Sequence, residues 1–210
     1  MGSPSADGRR YRGAALAERQ EERRAKLIEA GIELFGTSGY RSSTVEKICA
    51  TAGLTKRYFY ESFGGSEELL LACYTEATER LRAAVRDGAG RATDLGSATT
   101  GALGAFFAAI EDDPRIGRIT FHEILGVSPK VDRAYRATTL AFVDTLIELT
   151  APFVGPAADP AQVRLVATGL VGAILMIAQQ WMLSDFADPA DQVVATAALI
   201  LDTLVLRLGS

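Results

Sequence analysis

Ser43-Thr44-Val45-Glu46-Lys47-Ile48-Cys49-Ala50-Thr51-Ala52-Gly53-Leu54-Thr55-Lys56-Arg57-Tyr58-Phe59-Tyr60-Glu61-Ser62-Phe63 is the stretch on which the fold turns. Ser43 or Thr44 can cap a helix, and Val45, Ile48 and Cys49 then make a short apolar stripe. Gly53 breaks that helix, because a tight turn readily needs a positive φ. A second short helix follows from Thr55. Phe59 and Phe63, four residues apart, share one face and point to a small core, while Lys56, Arg57, Tyr58 and Tyr60 supply ammonium, guanidinium and phenol groups elsewhere. Two short helices joined by a glycine turn have the geometry of a helix-turn-helix, with one face of the second free for a major groove. Taken alone, the same residues also fit a solvated amphipathic surface.

Upstream, Leu27, Ile28, Ile32 and Phe35 recur at helical spacing, and Gly36 to Gly39 end the helix they define, which is expected to start near Glu18. Met1 to Ala17 has no sustained apolar face and reads as a mobile arm; its Arg9, Arg10 and Arg12 suit either a minor groove or a solubilising tail. Downstream, Gly64-Gly65 leads into Ser66-Glu67-Glu68, an acidic first turn that complements the dipole of a long helix over about 66–87. Five further helices are expected at about 93–111, 115–126, 129–153, 159–185 and 189–208. Pro114, Pro129, Pro160 and Pro189 each stand near a helix start, where a missing N–H costs least. The predicted fold is all-α with about nine helices: an arm over 1–17, a three-helix DNA-binding head over 18–65, and a helical ligand-binding and dimerisation domain over 66–210.

Charge agrees with that division. Formal net charge is -4, but residues 1–60 carry an excess of cations and residues 61–210 an excess of anions. A basic head on an acidic body suits a chain in which the head alone meets phosphates. Apolar residues make up 48% and charged residues 23%, ordinary values for a globular protein. Cys49 and Cys73 lie in apolar helical patterns and read as buried thiols. The polar, Arg-rich start does not resemble a signal peptide, so a cytoplasmic protein is expected. Arg164, Gln179 and Gln180 confine the most apolar run to residues 165–178, short of the ~20 residues a membrane helix needs, so no membrane partner is expected.

Three stretches in order resemble the tetracycline-repressor (TetR) family of transcriptional regulators: Ala30 to Tyr40, Ser43 to Leu54, and Thr55 to Phe63 followed by Glu67-Glu68-Leu69-Leu70. The resemblance implies that Thr44 caps the second helix and touches a phosphate, and that Thr55 caps the recognition helix. It further implies that Lys56, Arg57 and Tyr58 face base edges and that Tyr60 binds a phosphate. Two positions depart from the family pattern. Ser66 stands where a lysine often opens helix four, and Glu61 where a neutral or aromatic residue is frequent. A homodimer through the last two long helices, about 159–185 and 189–208, is implied as well, on a near-palindromic stretch of double-stranded DNA.

The resemblance also implies a small-molecule effector, expected here to be largely apolar and to release a repressor from its operator. Phe106, Phe107, Phe121, His122, Tyr135, Phe142, Met176, Gln180 and Trp181 are the candidate ligand-binding residues, although each also fits plain core packing. A DNA-binding regulator or architectural protein with no ligand is the alternative. No GxSxG, HExxH, phosphate-binding loop or dinucleotide fingerprint is present, and Glu111-Asp112-Asp113 reads as a solvated turn, so no enzyme is expected. His122 is the only histidine and has no Cys or Asp cluster at ligand spacing, so neither a metal site nor a cofactor is expected.

Overall fold

The computed structural model describes residues 6–90, 92–154 and 158–208. Among them are nine α-helices and no strand, in the order α1 (Ala6–Thr37), α2 (Val45–Ala52), α3 (Lys56–Ser62), α4 (Ser66–Ala89), α5 (Leu95–Asp112), α6 (Pro114–Arg118), α7 (Pro129–Thr150), α8 (Pro160–Leu183) and α9 (Ala190–Leu208). The chain divides into two compact units, Met1–Cys73 and Tyr74–Ser210, with the division inside α4 rather than at its start.

In the first unit, α1, α2 and α3 pack on one another. Leu27, Ile32 and Phe35 of α1, Ile48 of α2 and Phe59 of α3 are fully buried. Burying each such side chain contributes roughly 1.5–3 kcal/mol, enough for a small core to hold three short helices together. The main difference from expectation is the start of α1, which begins at Ala6 and not near Glu18. Residues 6–17 have no apolar stripe, yet Ala14, Ala15, Leu16 and Ala17 are strong helix formers. Extending a helix that already exists needs no second nucleation. The helical backbone therefore takes in most of the expected arm, including Arg9, Arg10 and Arg12, while Met1 to Ser5 lie outside the described residues.

In the second unit α5 lies against α9, α7 against α8, and α8 against α9. Four of its helices start on a side-chain cap. Asp94, Asp113, Ser128 and Asp159 accept from the backbone N–H groups of Ser97, Arg115, Val131 and Ala161. Three of those caps immediately precede a proline at the first helical position. α9 buries Val193, Ala197, Leu201 and Val205, one residue every four. A different flank of the same helix leaves Leu199, Ile200, Leu204 and Leu206 exposed.

The expected single helix over 115–126 is instead α6 followed by a π-helical turn, Ile119–Glu123. Helix α8 stops at Leu183, and Asp185 and Phe186 then take left-handed φ values of 55° and 57°. Helices α4 and α5 touch backbone to backbone: a Cβ added at Gly88 would collide with the Gly101 carbonyl oxygen, and one at Gly101 with that of Gly88. No residue but glycine fits that crossing.

Candidate DNA-binding surface and ligand cavity

The head is built around two caps and one turn. Thr44 Oγ1 accepts from the Lys47 N–H at 3.4 Å and so starts α2. Gly53, at φ 64°, ends it in the left-handed conformation, with the Leu54 N–H donating back to the Cys49 carbonyl at 2.9 Å. α3 then presents Phe59 and Phe63 inward, leaving Lys56, Arg57 and Tyr60 exposed. Thr55 occupies the cap position of α3, as the resemblance implies, and its hydroxyl makes no capping bond. Its backbone carbonyl accepts the first helical N–H groups in any case, from Tyr58 and Phe59.

Carboxylates hold both cations of the recognition helix. Lys56 Nζ donates to Glu46 of α2, and Arg57 Nε donates to Glu61 at 2.8 Å one turn along. The hydrogen bond from Lys56 pushes the Glu46 carboxyl down to about 2, and the partner carboxylates raise Lys56 and Arg57 above their ordinary values. All four groups are open to solvent, so each pair is weak and readily exchanged for a phosphate. The Glu61 carboxylate is thus paired with a cation of its own helix. Arg23 of α1 stacks over the Tyr58 ring at 3.9 Å, and Arg24 lies 5.2 Å from the Phe63 ring centre.

The second unit encloses a cavity with some 670 Å³ of empty space, its mouth included. Helical periodicity accounts for its walls. α4 contributes Val85 and Ala89, one turn apart. α5 contributes the face that runs from Leu95 through Thr99 and Ala102 to Phe106. α7 contributes Phe142, Thr145, Leu146, Leu149 and Thr150, and α8 contributes Val171, Ile174 and Leu175. Three threonines apart, the lining is carbon. Two of those hydroxyls already donate to their own helix, Thr145 to Ala141 at 2.9 Å and Thr150 to Leu146 at 2.8 Å. A wall of this kind favours an apolar guest and offers few polar contacts to orient it.

The profile for bacterial regulatory proteins of the tetR family matches residues 27–73. The HTH-type transcriptional activator FasR of Mycolicibacterium smegmatis is 30% identical over 166 residues, which span 79% of this chain and 75% of FasR. The chain belongs to the tetR family of bacterial regulatory proteins. It is a transcriptional regulator with a helix-turn-helix DNA-binding head. Two solved structures share the fold at 18% identity. The fatty acid degradation regulator FadR of Bacillus halodurans superposes with a TM-score of 0.73 over 85% of this chain and 94% of its own. FadR of Bacillus subtilis in complex with stearoyl-CoA superposes with a TM-score of 0.71 over 86% and 97%.

In this tetR-family regulator the expected ligand-binding residues separate. Phe106 and Phe142 line the cavity with their rings edge to face, 6.4 Å apart. The other seven are not among its lining residues. Phe107 turns away from the cavity onto Trp181, which packs in turn on Phe186 and donates its indole N–H to the Asp188 carbonyl at 2.8 Å. Phe121 is buried in the π-helical turn beside His122, whose Nε2 is shielded from solvent without a hydrogen-bond partner. Met176 and Gln180 are exposed on α8, and Tyr135 is half-buried near Tyr74. Sequence reasoning missed the aliphatic and threonine walls, although their helical spacing was available as a signal. It also missed Arg23, whose partner Tyr58 lies on another helix and leaves no local trace.

Proposed function

We propose that this regulator binds a near-palindromic operator as a homodimer and is released when a largely apolar small molecule occupies the cavity of the second unit. The carbon-walled cavity between α4, α5, α7, α8 and α9 carries the reading. Support for the apolar class comes from the stearoyl-CoA held by the Bacillus subtilis FadR of the same fold. On the DNA side, Thr44, Thr55, Lys56, Arg57, Tyr58 and Tyr60 make the contacts: Lys56, Arg57 and Tyr58 toward base edges, and Thr44 and Tyr60 toward phosphates.

Dimerisation through α8 and α9 brings two heads onto one duplex face, where recognition helices about 34–36 Å apart meet successive major grooves. The exposed Leu165, Met176, Leu183, Leu199, Leu204 and Leu206 on those two helices favour burial against a second copy. By length and composition alone α8 is also long and apolar enough to cross a membrane. Its buried Leu170, Val171 and Trp181 support a place in a protein core instead. A regulator that acts on DNA in this way works in the cytoplasm.

Helix α4 takes part in both units, and a guest that displaces Val85 and Ala89 acts on the helix that continues into the head. For release to be effective, the guest must prefer the released form by about a thousandfold, ~4 kcal/mol. The name of the FasR relative favours a regulator that activates while bound, so that the effector would switch transcription off rather than on. Footprinting on DNA that flanks the gene tests the first step. Arg57→Ala and Tyr60→Phe are expected to weaken operator binding about tenfold each, and Arg57→Ala, which removes a charge, also flattens its salt dependence. Unchanged affinity in both variants would remove the recognition helix from the proposal. A reporter driven by the footprinted promoter then gives the sign.

A further inference from the structure

A polar cluster backs the α7 wall of the cavity, outside its carbon lining. Thr145, buried at 2% exposure, forms part of the α7 wall. Two arginines of α4, one turn apart, converge on its hydroxyl oxygen: Arg82 Nε at 3.5 Å and Arg86 Nη2 at 3.4 Å. On the same helix Val85 and Ala89 line the cavity. Residues 82, 85, 86 and 89 therefore form one stripe in which guanidinium groups and cavity-lining carbon alternate. Side-chain exposure is 17% for Arg82 and 41% for Arg86, and neither pairs with a buried anion. Arg82 leans on Glu79 and Arg86 on Glu148, at 2.5 Å and 3.9 Å, and both carboxylates are more than half exposed.

We infer that the effector is an amphiphile: its aliphatic part fills the cavity, and an anionic group near one end of that part is held by Arg82 and Arg86 beside Thr145. This rests on the reading of the cavity as the effector site and adds the charge of the ligand to it. A guanidinium carries five donors, and each of these two has donors beyond its contacts with Thr145 and the glutamates with which to grip a carboxylate or a phosphate. The exposed carboxylates of Glu79 and Glu148 give up their places at small cost, because solvent-exposed pairs are weak. A neutral apolar guest would leave both guanidinium groups as they are and would gain nothing from them. Two sources supply the same chemistry, a fatty acid through its carboxylate and an acyl-CoA through its phosphates.

The test is equilibrium binding to the full-length protein, followed by the fluorescence of Trp181, the only tryptophan in the chain. Dodecanoate, dodecanoyl-CoA and dodecanol are compared, all below their micelle concentrations. One of the two anions is expected to bind the unaltered protein about tenfold or more tighter than dodecanol, the gain typical of a charge-assisted hydrogen bond. Preference for dodecanoate places the carboxylate at the arginines, and preference for dodecanoyl-CoA places a phosphate there. In Arg82→Gln/Arg86→Gln that preference disappears while dodecanol affinity stays within about twofold, and Arg82→Lys/Arg86→Lys restores part of it. Equal binding of dodecanol and both anions to the unaltered protein overturns the inference and leaves the apolar cavity standing. That comparison needs no variant to fold. If none of the three binds, the inference and the reading of the cavity fall together.

Discussion

In the head, residues 1–73, the groups expected to act stand on the outside of one short helix, and the carbon that supports them lies behind it. In the body, residues 74–210, the arrangement is inverted: carbon from five helices faces an internal space, and the polar groups sit at its margin. The head is local. Thr44, Gly53 and Phe59 fix the recognition helix from within a few residues of it. The cavity is non-local, since its walls come from Val85 to Leu201 and no single helix defines it. Damage should therefore stay confined in the head and spread in the body.

The largest expected effect breaks the head. Phe59→Ala removes a fully buried ring from a small core and should cost ~3–5 kcal/mol, abolishing operator binding by footprinting. Ligand-induced Trp181 fluorescence should survive it, and loss of both functions would refute the separation drawn above. Next, Ala102→Phe fills the cavity from α5. Effector affinity should drop about a hundredfold, measured by the same fluorescence, with operator affinity retained.

A third test concerns protons in the body. Burial holds the Tyr74 phenol up at about 12, against an ordinary value of 10.0, with the Thr138 side chain opposing the shift. A folded value above the unfolded one means that stability is intact below pH 10 and declines as pH rises towards 12. That loss amounts to at most ~3 kcal/mol and should be flattened in Tyr74→Phe when unfolding is followed against pH. The smallest effect is in the head. Glu46→Gln frees Lys56 and should leave the melting temperature almost unchanged. The same variant should tighten DNA binding a few-fold at low salt, an increase that fades as salt is raised.

Legibility in the sequence follows the same divide. The helix order, the cap at Thr44, the turn at Gly53 and the inward Phe59 and Phe63 could all be read, because each depends on spacing within one or two helices. The start of α1 at Ala6 could not, since propensity without an apolar face gives no periodic signal. In the body, residue type alone favours aromatic side chains as ligand contacts. Successive residues on a helix are rotated by about 100°, so Phe106 and Phe107 cannot both face one cavity. The convergence of Arg82 and Arg86 on Thr145 crosses from α4 to α7, and nothing in either segment announces it.

The crossing of Gly88 with Gly101 has a consequence for anyone who wishes to retune this protein as a biosensor. Main chain meets main chain there, so no substitution at either codon keeps the present helix spacing. The α8 wall carries no such restriction. Val171, Ile174 and Leu175 meet the cavity through side chains alone, and they are the positions to randomise when a different molecule is to be detected.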